Sequence, residues 1–137
     1  MSVSYWGIVG YGVCINDIDK YLDKYKINNL VRKFNPNIEF EEDVFEDDTF
    51  CGDPYNNLAE FLCDLDYRNI LTWEDDGNGR AFLLYEPVYP WLIKAENQPK
   101  SVDEVKDLII GILLNVCNAS RNELVKEIDY ISTWGCS

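Results

Sequence analysis

Residues 69–87 read NILTWEDDGNGRAFLLYEP. Two runs rich in β-branched and aromatic residues flank Asp76-Gly77-Asn78-Gly79, and Asp-Gly and Asn-Gly are the strongest short hairpin signals because a tight reversal needs positive φ. The spacing predicts a strand over 70–75, a turn at 76–79 and a strand over 80–86. The same residues offer a calcium reading: Glu74, Asp76 and Asn78 fall at positions 1, 3 and 5 of an EF-hand-like loop, with Gly79 at position 6. Position 12 is Tyr85 and the flanks read as strands rather than helices, so the hairpin is preferred and no metal ligand is assigned.

Working outward, Asp53-Pro54 is a helix start, an N-cap followed by proline at the first position. The helix that follows places Tyr55, Leu58, Ala59, Leu62 and Leu65 on one face and Asn57, Glu60 and Asp64 on another. Ser101 with Glu104 and Ser120 with Glu123 have capping-box spacing. The first precedes a core helix carrying Val102, Val105, Leu108, Ile109, Ile112, Leu113 and Val116, with Ile110 and Leu114 widening its apolar face. Residues 3–15, VSYWGIVGYGVCI, read as a strand whose glycines mark bulges or the close approach of another backbone or ring. Asn16 or Asp17 is expected to cap a helix carrying Ile18, Leu22 and Tyr25, and a second helical stretch with Ile27, Leu30, Val31 and Phe34 ends before Pro36. NIEFEEDVF fits a short acidic edge strand, and YISTWGCS a short strand or a docked tail. Hairpin signals outweigh crossover units, and no linker or repeat divides the chain. The expectation is one α+β domain over 1–137, a small antiparallel sheet with the hairpin at about 70–86 covered by three to five helices.

The residue inventory restricts the chemistry. There is no histidine, which removes Ser-His and Cys-His pairs and imidazole metal ligands. The five cysteines (14, 51, 63, 117 and 136) form no CxxC pair and no disulfide framework, so they read as reduced, mostly buried thiols. G-x-x-G-x-G at residues 7–12 is not the dinucleotide order, and no base stands near it. No catalytic residue, metal site or cofactor is therefore assigned. No apolar run spans a bilayer and the opening residues lack a basic leader, so a cytoplasmic protein is expected.

Charge carries the functional reading. The net charge is −13. Residues 37–76 hold fourteen acids against one base, Arg68, while the remaining 97 residues hold eleven of each, so one block carries the whole excess. Its densest part is EFEEDVFEDD, residues 39–48. Such a chain repels phosphates and anionic membranes, and its electrostatic complement is a basic protein. Carboxylates spaced like phosphates can imitate a nucleic-acid backbone and occupy the groove of a nucleic-acid-processing enzyme. Glu39, Glu41, Glu42, Asp43, Glu46, Asp47, Asp48, Glu60, Asp64, Glu74, Asp75 and Asp76 are the candidate partner-binding residues. Phe40, Phe45, Phe50 and Tyr55 are candidate anchors among them.

The segments YWGIVGYGV (5–13), GDPYNNLAEFLCDLD (52–66), WEDDGNGRAFLLYEPVYPW (73–91) and STWGC (132–136) together resemble a group of small acidic proteins of unknown function encoded by Firmicutes phages and mobile elements. Proteins of that kind are similar in character to inhibitors of host defence, anti-CRISPR proteins among them. The resemblance implies a non-enzymatic inhibitor acting in the cytoplasm of a bacterial host, and it carries no residue roles. Two other readings stay open: an immunity protein against a toxin nuclease, and a small-ligand or calcium-binding protein.

Overall fold

The computed structural model describes residues 4–34, 54–86 and 95–136. The hairpin forms as expected: β2 (Leu71–Asp75) pairs antiparallel with β3 (Ala81–Tyr85), Leu71 opposite Tyr85 and Asp75 opposite Ala81. The reversal takes five residues, 76–80, rather than the four expected at 76–79. Asp76 N–H donates to the Arg80 carbonyl at 3.1 Å, and Gly77 and Gly79 supply φ values of 75° and 94°. β3 pairs in turn with β1 (Tyr5–Cys14), and β1 with β4 (Asp129–Cys136), giving one antiparallel sheet of order β2-β3-β1-β4. Four α-helices, α1 (Lys24–Phe34), α2 (Pro54–Asp64), α3 (Val102–Leu113) and α4 (Arg121–Val125), with 3-10 helices at Ile15–Tyr21 and Ala95–Asn97, complete a small α+β domain among the described residues.

Strand alternation sorts the sheet into two cores. Val13, Leu71, Ala81 and Leu83 face the helices and meet Leu58, Ala59 and Leu62 of α2 and Val105, Leu108, Ile109 and Leu113 of α3 in the main core. Ile8, Cys14, Phe82 and Leu84 point to the opposite face and form a second, smaller cluster with Trp6 and Ile131. That cluster exists because the sheet coils. Trp6 Nε1–H donates to the Asp75 carbonyl and Cys136 N–H to the Asp76 carbonyl, both at 3.0 Å, so the free end of the β1–β4 ribbon curls across to the hairpin turn. Two glycines of β1 permit the close approach this requires. A Cβ on Gly12 would overlap the Leu83 carbonyl, and one on Gly10 the Tyr85 carbonyl, which accounts for two of the three glycines in this strand.

The capping residues behave nearly as read. Ser120 and Glu123 form a complete capping box at α4. At α3, Ser101 Oγ accepts the Glu104 N–H, but the Glu104 carboxylate accepts the N–H of Lys100 rather than that of Ser101. Ile110 is buried as expected, whereas Val102 and Leu114, at the two ends of α3, are exposed. The helix expected from residue 16 does not form as one piece. Leu22 turns to ψ 131° and pairs with Cys117, ending the 3-10 helix, and Asp23 recaps the chain by accepting the N–H groups of Tyr25 (2.9 Å) and Lys26 (3.3 Å). Asn16 is used elsewhere: its side chain accepts the Ala81 N–H and donates to the Gly79 carbonyl, pinning the hairpin to the end of β1. YISTWGC, residues 130–136, belongs to a full strand, β4.

Candidate functional site

Of the twelve acidic candidates, Glu39, Glu41, Glu42, Asp43, Glu46, Asp47 and Asp48 lie outside the described residues, as do Phe40, Phe45, Phe50 and the expected edge strand. The other five fall into separate groups. Glu60 and Asp64 stand one turn apart on the exposed side of α2. Their field is registered by Cys63, whose thiol is pushed up first by burial and then by Asp66, Asp64 and Glu60. Glu74 points away from α2, since its cross-strand partner Phe82 belongs to the smaller core. Burial raises the Glu74 carboxyl above the usual range, and Glu86 and Asp75 raise it further. The described acids therefore occupy both faces of the sheet rather than a single continuous one.

Three carboxylates of the block serve the backbone. Asp66 is buried after the end of α2; its Oδ2 accepts the N–H groups of Ile70 and Leu71, both at 2.7 Å, and its Oδ1 that of Arg68 at 2.9 Å. Asp76 is buried too, and its Oδ1 accepts Asn78 N–H at 2.8 Å and Arg80 N–H at 3.1 Å. Asp75 Oδ1 accepts Gly77 N–H at 2.9 Å. These bonds hold the turn that the calcium reading would have used as a loop. Among the described residues no three His, Cys, Asp or Glu side chains converge as a metal site. Tyr55 packs against the main core and its hydroxyl donates to Asp19 at 3.0 Å, so it is not an outward anchor.

Three of the four described thiols offer little nucleophilic character. Burial raises Cys14, Cys63 and Cys117, the last to about 11 despite the nearby Lys26 ammonium. No helix among the described residues is long and apolar enough to cross a membrane.

A second site lies on residues that the charge pattern passes over. Where the helical layer ends, the face of the β1–β4 ribbon that carries Val13 continues with Tyr5, Gly7 and Val9 opposite Cys136, Trp134 and Ser132, then Tyr11 opposite Tyr130. Trp134 is 74% exposed, Tyr5 72% and Tyr130 54%. Tyr11 and Tyr130 meet edge to face with ring centres 5.5 Å apart. The stripe runs into a cavity of about 410 Å³ where the ribbon meets the start of α3, lined mainly by Tyr11, Tyr85, Tyr130, Val102, Glu86 and Lys100. Its sequence signal is a period of two, Tyr5, Val9 and Tyr11 in one segment and Tyr130 and Trp134 in another. It becomes a surface only when the two segments pair in register.

No protein-family model, no curated protein and no solved structure matches this chain.

Proposed function

We propose that the chain is a non-enzymatic, protein-binding inhibitor, phage- or mobile-element-encoded and acting in the bacterial cytoplasm, whose acidic block occupies the nucleic-acid groove of a basic nucleic-acid-processing enzyme. The observation that carries this reading is the location of charge: residues 37–76 hold the whole net charge of −13, and the rest of the chain is balanced. A field of one sign accelerates encounter with a partner of the other and sets its orientation. Glu60 and Asp64, exposed on α2, are available for such pairing. The chemistry supports binding over catalysis, since the chain has no histidine and three of the four described thiols, Cys14, Cys63 and Cys117, are pushed up.

The test is competition. The chain is used to capture its partner from a bacterial host, and a labelled oligonucleotide is then titrated against the complex. The oligonucleotide and the chain should exclude one another. The triple variant Glu41→Lys, Glu42→Lys, Asp43→Lys should bind more weakly and lose part of the salt dependence. Unchanged binding by that variant, or simultaneous binding of oligonucleotide and chain, would sink the reading.

A further inference from the structure

We propose that the exposed aromatic stretch of the β1–β4 ribbon, with the tyrosine-lined cavity at its end, docks an arginine-bearing segment of a basic protein partner. This rests on the reading that the partner is basic, and adds the surface that would recognise it at close range. The pairing register puts Tyr5, Val9, Tyr11, Tyr130 and Trp134 on one side of two strands, and the described helices do not cover the Tyr5 and Trp134 end. Soluble chains keep contiguous exposed aromatic surface small unless something binds there. Opposite Trp134 stands Gly7, where an added Cβ would meet nothing within 4 Å, so the indole face has open space beside it.

Charge selects the occupant. A second copy would bring another −13 against the first, which opposes a dimer through this face. Aromatic platforms for single-stranded nucleic acid are accompanied by a basic groove. β1 and β4 contain no lysine or arginine, and Asp129 is their one charge. A guanidinium suits the site instead. It stacks on tyrosine and tryptophan faces, is weakly hydrated, and keeps its charge at any working pH. Glu86 lies at the cavity wall, and Glu74, on the opposite face of the sheet, is close enough for Glu86 to raise its carboxyl. Lys100 lines the same cavity and offsets one of these charges, which leaves ring stacking as the main source of selectivity.

The experiment titrates the full chain with an acetylated Arg-Gly repeat peptide and with matched Lys-Gly and citrulline-Gly peptides, followed by calorimetry. Tyr130→Ala, Trp134→Ala and the Glu41/Glu42/Asp43→Lys variant are compared, each checked for native circular dichroism. The arginine peptide should bind best, and each aromatic truncation should weaken it by about tenfold. If the aromatic variants bind like wild type while the charge reversal weakens binding, this docking face is overturned and the acidic block stands alone. If the aromatic variants lose binding while the charge reversal does not, the docking face stands and the acidic-block reading falls. Equal binding of the citrulline peptide would overturn the proposal. So would an oligothymidylate that binds wild type and not Trp134→Ala, or a dimer in sedimentation abolished by Trp134→Ala.

Discussion

Asp66 shows how one carboxylate can belong to the architecture although it sits in the acidic block. Removing its side chain in Asp66→Ala leaves the N–H groups of Ile70 and Leu71 buried and unpaired. Each orphaned donor costs roughly 1–3 kcal/mol, so the variant should lose at least about 2 kcal/mol in urea denaturation, with Asp66→Asn recovering part through its remaining oxygen. Glu74 behaves in the opposite sense. Its carboxyl is raised in the folded state, so the folded chain holds its proton more tightly than the unfolded chain does. Stability from this group is therefore present at low pH and lost as pH rises through its folded value. Glu74→Gln should raise Tm at neutral pH, and the gain should vanish below about pH 4, where glutamate is protonated in both states. Burial pushes the Cys117 thiol up to about 11. Its alkylation by iodoacetamide at neutral pH should be undetectable in the native protein and rapid in denaturant.

At the level of elements, the hairpin, α2, α3 and α4 were legible because caps, proline and period write them locally. Asp76 and Gly77 announce the turn, and Ser120 with Glu123 announces α4. What was not legible depended on distant partners. Asn16 is a good N-cap by type, yet its side chain is spent on Gly79 and Ala81, more than sixty residues away. Val102 has the period of a core residue but sits at the mouth of the cavity. Within the candidate site, the acids were readable as a block, but not the diversion of Asp66 and Asp76 to backbone amides. The aromatic stripe was invisible until β1 and β4 were placed side by side. The same dependence on neighbours separates two glycines of one strand. Gly12→Ala forces a methyl into the Leu83 carbonyl and should unfold the chain or cost more than about 3 kcal/mol. Gly7→Ala meets open space and should be neutral or stabilising by about 0.5–1 kcal/mol, read from denaturation midpoints.

For the whole molecule, the dominant quantity is the uncompensated charge of −13. Self-repulsion opposes the compact state, so raising salt from about 0.01 M to about 0.15 M, which shortens the screening length from about 30 Å to about 8 Å, should raise Tm measured by differential scanning fluorimetry. A fall in Tm over that range would mean that favourable ion pairs, such as Arg68–Glu104 and Arg80–Asp17, outweigh the repulsion. The coiled sheet has a kinetic corollary. Its hairpin closes over a few residues, whereas β1 pairs with β4 across nearly the whole chain, Tyr5 meeting Cys136. Loop-closure entropy for that pairing is met before its contacts repay it, so the ribbon should form late on the folding pathway. Substitutions in the hairpin should then slow refolding, while those in β4 should chiefly speed unfolding, two opposite arms of the same chevron plot. The smaller core is bounded by that late ribbon, so the hydrogen bonds from Cys136 and Trp6 to the hairpin should be the first latch to open, exchanging their amide and indole protons well ahead of α3.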